Sequence, residues 1–476
     1  MIMKKNIVNF QSSIKTKRMN QESKLIAAID IGTTKMVAIV GRKYSDGHFE
    51  VLGLEKIAST GVKRGVIANI DETVNAIRQV VTTLQDRLNI VLTDVYVGMA
   101  GYSMRSFTNR CYRFINQGEE ITSFDLNQLH KDAHRVAVEP GEKVVHVIPQ
   151  DYSVDNEMNE KNPVGMLGDR LEGFFHVIVG RMSSIGNIEK CIHRAGLKLA
   201  GVILESLASS HAVLTEEERE AGVVLVDIGG GTSDLAIFQD GLIRHSAVIP
   251  FGGNIITNDI KEGCALLQKQ AESIKQKFGS ALGNMAKEDM VISIPGMQGW
   301  EPKEISCRNL ACIIQARMEE IIDFVAHHIN TSGYYEKLGA GIVITGGGAL
   351  LKNITQLMKL KTGLDVRMGR PNNYFINDIV PFDEMPHYST AVGLMISSSI
   401  YVTPKMVEQT IFQNEPLKDT SKIEAKPKDR KEQPFIKKKK IKEEVEYRTG
   451  DLFGSFNFGN IKKTIAGMFD EKDTEM

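Results

Sequence analysis

Short apolar runs alternate with longer amphipathic stretches from about Leu25 to Tyr401. Runs rich in Val and Ile, bounded by Gly or polar residues, predict β-strands, and apolar residues three or four positions apart predict helices. This alternation is typical of an α/β fold. Strands are expected at 25–30, 35–41, 49–55, 95–100, 144–149, 174–180, 223–228, 234–239 and 341–345. Helices are expected at 71–89, 125–138, 185–195, 206–215, 256–278, 307–331 and 350–362.

One local pattern occurs twice. Residues 25–40 read LIAAIDIGTTKMVAIV and residues 223–238 read VVLVDIGGGTSDLAIF. In each, an apolar strand ends at an aspartate, a turn with Gly and Thr or Ser follows, and a second apolar strand begins. A turn that only reverses the chain is the plainer interpretation, but such a turn does not need three glycines. Glycine lets backbone N–H groups approach an anion closely, so we predict two phosphate-binding hairpins facing one nucleotide.

The aspartates in these turns imply a cation. A carboxylate beside a polyphosphate would repel it unless a positive charge lay between them. Mg²⁺ suits this position because it keeps most of its water and bridges to phosphates. A third cluster, GIVITGGGALLKNI at 341–354, places glycines between a strand and a helix. This geometry is common at nucleotide contacts but also serves plain strand–helix packing.

Composition narrows the possible partners. A chain of 476 residues needs two or more domains, and its formal charge of −1 gives no general attraction to nucleic acid, so no nucleic-acid partner is expected. The five cysteines form no CxxC pair, which favours reduced thiols in a cytosol-like compartment. No apolar run is long enough to cross a bilayer. Residues 1–24 are basic and are expected to form a disordered tail, with a transit peptide as the alternative.

The C-terminal part has two segments of different character. Residues 403–450 are rich in charge and interrupted by proline, which predicts a disordered linker. Residues 451–476 regain apolar character and predict an amphipathic helix that lies in a membrane surface. A tail that docks on its own core or on a partner protein is the alternative. The candidate membrane-binding residues are the stripe Ile461, Ile465, Met468 and Phe469 with the adjacent Lys462 and Lys463.

The motifs DIGTTK, VDIGGGTSDLAI and ITGGGALL, in this order, resemble the actin, Hsp70 and sugar-kinase superfamily. The resemblance covers about 25–400 and implies duplicated ribonuclease-H-like domains that close on ATP and Mg²⁺, with Asp30 and Asp227 holding the metal largely through water. Glu205 is the candidate to activate water. The AESIKQKFG helix matches an adenosine-side element, although its Glu272 and Lys275 would also suit an exposed helix ion pair. The nucleotide-binding residues implied are Asp30, Gly32, Thr33, Thr34, Lys35, Asp227, Gly229, Gly230, Gly231, Thr232, Asp234, Glu272, Lys275, Gly346, Gly347 and Gly348.

Longer stretches select one branch of the superfamily. ILESLASSHAVLTEEEREAGVVLVDIGGGTSDLAI and PHYSTAVGLM are similar to the FtsA family of bacterial cell-division proteins, and the insertion after strand 95–100 fits the same family. The resemblance implies an actin-like ATPase fold with an FtsA-type inserted subdomain. The predicted domains are a tail at 1–24, subdomain 1A at 25–101 and 175–200, inserted subdomain 1C at 102–174, subdomain 2A at 201–251 and 339–402, subdomain 2B at 252–338, a linker at 403–450 and a membrane-targeting tail at 451–476.

The same resemblance implies partners. The helix CRNLACIIQARMEEIIDFVAHHI would receive the acidic C-terminal tail of the tubulin-like protein FtsZ, with Arg308 and Arg317 as candidate contacts. An ordinary core helix with long arginine stems is the alternative. Self-association into filaments, contacts with other division proteins and a place on the cytoplasmic face of the inner membrane at the division site are expected. ATP turnover should be slow at most. A sugar-type kinase and a scaffold for another envelope machine, such as pilus assembly, are the alternative functions.

Overall fold

The computed structural model describes most of the chain before residue 401. The described residues are 23–45, 49–100, 104–116, 118–287, 289–296, 301–371 and 380–400. A second unit, Pro416–Met476, lies entirely outside them, and so do most of the N-terminal tail, the linker and the amphipathic tail that the sequence predicts. Within the described ranges, no helix has the length and apolar character that crossing a membrane would require.

Helices and strands alternate along the chain, as the sequence pattern predicts. The α-helices are α1 (Ile70–Leu88), α2 (Ser123–Ala133), α3 (Met182–Arg194), α4 (Glu205–Val213), α5 (Glu216–Ala221), α6 (Gly253–Gly263), α7 (Gln268–Phe278), α8 (Cys307–Ser332), α9 (Ile354–Thr362) and α10 (Ser389–Ser397). The strands are β1 (Ser23–Ile31), β2 (Lys35–Tyr44), β3 (Phe49–Ala58), β4 (Val62–Lys63), β5 (Val66–Ile67), β6 (Asp94–Met99), β7 (Met104–Phe114), β8 (Glu142–Val154), β9 (Glu157–Glu160), β10 (Arg170–Arg181), β11 (Lys198–Leu204), β12 (Val223–Ile228), β13 (Ser233–Gln239), β14 (Leu242–Ile249), β15 (Val291–Ile294), β16 (Lys303–Ser306), β17 (Ile342–Thr345) and β18 (Val366–Met368).

Two five-stranded sheets share one plan. The first has the order β11-β6-β1-β2-β3, and the second has the order β14-β13-β12-β17-β18. In each, an antiparallel hairpin contains the repeated sequence, and its first strand runs parallel to a strand from later in the chain. The central strands are apolar on both faces because helices or the other half of the fold cover both sides. The duplicated α/β architecture is therefore present.

Helices α4 and α10 cross between the two sheets. Their apolar residues belong to one core cluster that also contains residues of both sheets. The two backbones touch where they cross, since a Cβ atom at Gly393 would lie 1.8 Å from the carbonyl oxygen of Ala208. Only glycine allows so close an approach. This crossing is the main helix contact between the two halves.

The inserted segment folds as a separate sheet. Its strands have the order β7-β10-β8-β9, and α2 packs on one face, where its Leu129 shares a buried cluster with Tyr152 and Phe175. The sequence predicts strands and a helix here, and both are present. The expected boundary between 174 and 175 falls within β10, which stays paired with β7 and β8 in this sheet.

The sequence predicts one helix over 256–278, but the structure has two helices, α6 and α7. Helix α6 ends in a Schellman-type turn, in which the N–H of Leu266 donates to the carbonyl of Lys261 at 2.9 Å. Ala265 takes the left-handed position of this turn, with φ of 47°. Glycine usually occupies that position, so the sequence gives no clear sign of the break.

Candidate nucleotide site

The first turn lies between β1 and β2 and begins at Asp30, which is 3% exposed. Gly32 is required there, because a Cβ atom would lie 2.7 Å from the carbonyl oxygen of Lys35. The hydroxyl of Thr33 accepts a hydrogen bond from the backbone N–H of Gly65 at 2.9 Å, so the β4–β5 hairpin supports the turn. The hairpin predicted from the sequence thus holds Asp30 and Thr33 in fixed positions.

The second turn lies between β12 and β13 and contacts the first. A Cβ atom at Gly230 would lie 2.3 Å from Cγ2 of Thr34, and one at Gly231 would lie 2.5 Å from Oγ1 of Thr33. The turn itself is closed by a hydrogen bond from the N–H of Gly229 to the carbonyl of Thr232 at 2.9 Å. Gly230 and Gly231 therefore serve a close approach between the two halves of the fold. The sequence predicts that the turns face each other, and they do.

Four carboxyl groups meet beside these turns: Asp30, Glu205, Asp227 and Asp234. Burial raises the pKa of Asp234 to about 8, with a further contribution from the charge of Asp227. Burial also raises the pKa of Asp30, an effect that Lys35 opposes and Asp227 reinforces. The pKa of Glu205 is raised well above its usual value by burial and then by the three aspartates. Burial and mutual repulsion thus favour the protonated forms of Asp30, Glu205 and Asp234, and a cation beside them would offset that effect.

Among the described residues, Lys35 is the cation whose charge opposes the rise in the pKa of Asp30 and of Glu205. Its Nζ lies 3.7 Å from Oδ2 of Asp30, and it donates a hydrogen bond to the carbonyl oxygen of His387. It also lies 6.0 Å from the centre of the Tyr388 ring. One lysine does not balance four carboxyl groups, which leaves the site suited to a divalent cation.

The residues present fit a magnesium-bound phosphate. Oδ1 of Asp234 is buried and has no hydrogen-bond partner among the described residues, as expected of an oxygen that would bind a ligand or its water. Its other oxygen accepts from the hydroxyl of Thr232 at 3.2 Å. Across the described ranges, no three His, Cys, Asp or Glu side chains are arranged to bind one metal directly. A cation held between Asp30 and Asp227 mainly through water is compatible with that arrangement.

The third glycine cluster adjoins the second turn. Gly346 has φ of 85°, and a Cβ atom on it would lie 2.3 Å from Oδ1 of Asp227. A Cβ atom at Gly348 would lie 2.3 Å from Cγ2 of Ile228, and one at Gly347 would lie 2.9 Å from the ring of His387. The structure therefore brings Gly346, Gly347 and Gly348 to the same place as Asp227.

Glu272 and Lys275 also reach this region, from α7. Nζ of Lys275 is 2.8 Å from Oε2 of Glu272 and donates to the carbonyl of Gly253 at 2.8 Å. The N–H of Gly253 in turn donates to the carbonyl of Gly229 at 2.9 Å. The lysine side chain is only 13% exposed, so the pair is not an ordinary surface ion pair. It supports the start of α6 against the second turn.

Arg308 and Arg317 lie on α8, away from the acidic cluster. They are nine positions apart, so the helix places them on opposite sides and about 13 Å apart along its axis. Arg317 is already bound to Asp259 by two hydrogen bonds, of 2.6 and 3.1 Å, and to Glu320 at 2.5 Å. Arg308 is exposed in the first turn. The candidate membrane residues between Ile461 and Phe469 lie outside the described residues.

Three residues at the site were not found from the sequence: Ser209, Thr390 and His387. Ser209 and Thr390 donate hydrogen bonds to Oδ2 of Asp227 at 2.6 and 3.0 Å. His387 lies between Lys35 and Gly347, and burial lowers its pKa to about 4, with Lys35 and Lys56 adding to the effect. The motif PHYSTAVGLM contains two of these three residues, but the motif alone does not show which side chains reach the aspartate.

Two duplicated sheets, an acidic cluster between paired Asp-Gly turns and a pair of crossing helices define an actin-like ATPase fold. A solved structure described as the PilM-PilN type IV pilus biogenesis complex shares the fold, with a TM-score of 0.57, 13% identity, and coverage of 78% of this chain and 98% of that chain. At that identity the likeness concerns the fold alone.

Comparisons of sequence identify the family. A family model described as cell division protein FtsA matches residues 224–393, and one described as the SHS2 domain inserted in FtsA matches residues 101–179. The cell division protein FtsA of Pseudomonas aeruginosa is 38% identical over 376 residues, which cover 79% of this chain and 89% of that protein. FtsA of Neisseria meningitidis serogroup B is 37% identical (79% and 91% covered), and FtsA of Escherichia coli K12 is 34% identical (79% and 90% covered). The chain belongs to the FtsA family of cell division proteins.

Proposed function

We propose that the paired turns bind ATP with Mg²⁺ between the two halves of the fold. The observation that carries this proposal is the contact of Gly230 and Gly231 with Thr34 and Thr33 beside a buried acidic cluster. Asp30 and Asp227 would hold the cation through water, and the cation would neutralise phosphate charge. Backbone N–H groups of the glycines and the threonine hydroxyls would bind phosphate oxygens.

The remaining predicted residues surround the same space and complete the proposed site. Lys35 would contact phosphate, and Gly346 to Gly348 would contact the adenosine part. Glu272 and Lys275 would act near the ribose or base through their position beside Gly253. Because the two turns already touch, the halves must separate to admit a triphosphate. Nucleotide binding is therefore expected to change the angle between the halves.

Hydrolysis is expected to be slow. Glu205 is the candidate base, but burial and the neighbouring aspartates favour its protonated form. A protonated carboxyl group cannot take a proton from water. A bound cation would lower this barrier by offsetting the negative charges, so turnover would depend on Mg²⁺ and remain low.

We propose that the ATP-bound chain assembles head to tail on the inner face of the cytoplasmic membrane. The stripe around Ile461, Ile465 and Phe469 would lie in the membrane surface, and the flanking lysines would favour anionic lipid. One short helix binds weakly, whereas a filament presents many helices at once and gains from avidity. Assembly and membrane binding would therefore strengthen each other.

Sedimentation with liposomes tests this membrane role. The full chain and a chain ending at Gly450 are mixed with vesicles containing anionic lipid, with Mg²⁺–ATP and with EDTA. The full chain should pellet with vesicles, most strongly with Mg²⁺–ATP, and the truncated chain should stay in the supernatant. Phe469→Glu should reproduce the truncation, and Asp473→Asn should behave as the full chain. Equal pelleting of the full and truncated chains would refute the proposed anchor.

The tail of FtsZ is the proposed partner of α8 and its neighbours. Arg308 is exposed in the first turn of α8, and Arg317 is held by Asp259 and Glu320, so an incoming carboxylate would bind Arg317 only by exchange with those two groups. Binding of a labelled FtsZ tail peptide, measured by fluorescence anisotropy, should weaken several-fold in Arg308→Ala. A control, Lys359→Ala on α9, should bind as the unmodified chain does. No change in Arg308→Ala would remove Arg308 from the interface.

A further inference from the structure

The metal-site aspartate Asp227 is held by two hydroxyl groups from the crossing helices. Oγ of Ser209 in α4 donates to Oδ2 of Asp227 at 2.6 Å, and Oγ1 of Thr390 in α10 donates to the same oxygen at 3.0 Å. The two hydroxyls lie 3.2 Å apart. All three groups are buried, so water does not compete for these bonds. Both bonds are to a carboxylate, the stronger class of hydrogen bond.

The two helices differ in the sheets that they contact. Helix α4 packs mainly on β12 and β13 of the second sheet, which carries Asp227, and it also contacts β6 and β11 of the first sheet. Helix α10 packs on β1, β2 and β6 of the first sheet, and a Cβ atom at Gly41 would lie 2.0 Å from the sulfur of Met395. The bond from Thr390 to Asp227 is therefore a bond between the halves, whereas the bond from Ser209 comes from a helix that contacts both sheets.

The segment before α10 contacts the other turn. Residues Phe382–Tyr388 form a 3₁₀ helix, and the carbonyl of His387 accepts a hydrogen bond from Lys35. One short stretch, 387–390, thus bonds to the lysine of the first turn and to the aspartate of the second. Any ligand that moves either group acts on the start of α10.

We propose that Ser209 and Thr390 are positioning residues that couple the state of Asp227 to the crossing of α4 and α10. This inference rests on the proposed magnesium–nucleotide site. A cation beside Asp227 draws the carboxylate toward itself, and the hydroxyl bonds transmit that displacement to the two helices. By thermodynamic reciprocity, the hydroxyls in turn affect how strongly Mg²⁺ improves nucleotide binding. Thr390 has the larger effect on closure because its bond joins the halves.

The test compares variants that keep shape and lose one hydroxyl. Thr390→Val and Ser209→Ala each remove one donor, and Ser210→Ala is the matched control. Ser210 is equally buried and is adjacent in sequence, but its hydroxyl donates to the carbonyl of Leu207 in its own helix at 2.7 Å. Circular dichroism first establishes that each variant is folded. If Thr390→Val does not fold, Ser209→Ala is measured in its place.

Two quantities are measured. Spin labels are attached at Asp86→Cys on α1 and Gln356→Cys on α9, which are both exposed sites. Double electron–electron resonance then reports the distance between the two halves. Cys111 and Cys312 are replaced by Ser in every chain so that they do not take the label. Calorimetry gives the affinity for a non-hydrolysable ATP analogue with Mg²⁺ and with EDTA. The labelled chain without a change at Ser209, Ser210 or Thr390 should show a change in the distance between the labels when Mg²⁺ and the analogue are added. The Ser210→Ala variant should show the same change.

In Thr390→Val the distance change should fall by at least half, and the gain in affinity from Mg²⁺ should fall about tenfold, which is about 1.4 kcal/mol. The affinity in EDTA should stay the same. If both variants keep the full distance change and the full magnesium effect, the inference is overturned although the nucleotide site stands. If the chain without a change at Ser209, Ser210 or Thr390 binds no analogue in the presence of Mg²⁺, the proposed function fails, and the inference fails with it.

Discussion

Replacing Asp234 by asparagine is expected to stabilise the protein and to remove its response to magnesium. The Asp234 side chain is 4% exposed, its Oδ1 has no hydrogen-bond partner in the part of the chain that the structure describes, and burial raises its pKa to about 8. The folded protein therefore keeps a proton between about pH 4 and pH 8 that the unfolded chain releases. The free energy of unfolding falls as the pH rises through this window, and stays low above it. Asparagine carries no proton to release and keeps the same shape.

The magnitude follows from the size of the window. Each pH unit within it costs at most about 1.4 kcal/mol. Reorientation of the carboxylate and entry of water near Oδ1 reduce that cost, so we expect Asp234→Asn to be more stable by about 2 kcal/mol at pH 8.5. For a chain of this size the melting temperature should rise by roughly 2 to 5 °C. The gain should shrink steadily as the pH is lowered toward 5.

The assay is thermal unfolding from pH 5 to pH 8.5, with and without Mg²⁺–ATP. The unmodified protein should gain stability from Mg²⁺–ATP, and Asp234→Asn should lose most of that gain because one cation-attracting charge is gone. Asp259→Asn is the control, since Asp259 is paired with Arg317 and its loss should lower the melting temperature slightly. A lower melting temperature for Asp234→Asn at pH 8.5, or an undiminished response to Mg²⁺–ATP, would refute the reasoning.

Two further predictions concern the turns and the buried histidines. Gly230→Val places a side chain in the space between the turns that the phosphates would enter, at a position where a Cβ atom alone would lie 2.3 Å from Thr34. Nucleotide affinity measured by calorimetry should therefore fall at least tenfold. Gly186→Ala, on an open face of α3, should leave the affinity unchanged, and an equal affinity for both variants would contradict the proposed phosphate contact. Burial lowers the pKa of His146 to about 4. The unfolded chain therefore takes up a proton below about pH 6.5 that the folded protein refuses, so stability falls as the pH drops from 6.5 to 4. His146→Gln can still accept a hydrogen bond from the N–H of Leu204. In this variant the melting temperature should fall less steeply between pH 6.5 and pH 4, and an unchanged slope would show that other groups cause the loss of stability.

Local patterns predicted the hairpins, because an apolar run, an aspartate and glycines lie next to one another in sequence. The break at Ala265 was wrongly predicted as continuous helix, since an alanine in a left-handed position has no sequence signature. Strand β7 is absent from the predicted strands, although the alternating exposure along it is typical of a strand with one face toward solvent. The bond from Thr390 to Asp227 joins residues far apart in the chain, and only the crossing of the helices brings them together. Sequence thus predicted the two facing turns, and tertiary packing decides which other side chains lie beside them.

The most direct test of the account is the position of a bound cation. Crystals grown with Mn²⁺ in place of Mg²⁺ and a non-hydrolysable ATP analogue would give an anomalous peak at the metal. We expect one peak beside the phosphates, within about 5 Å of the carboxyl groups of both Asp30 and Asp227, a separation that one layer of metal-bound water allows. A nucleotide bound elsewhere, or a metal beside only one of these aspartates, would contradict it.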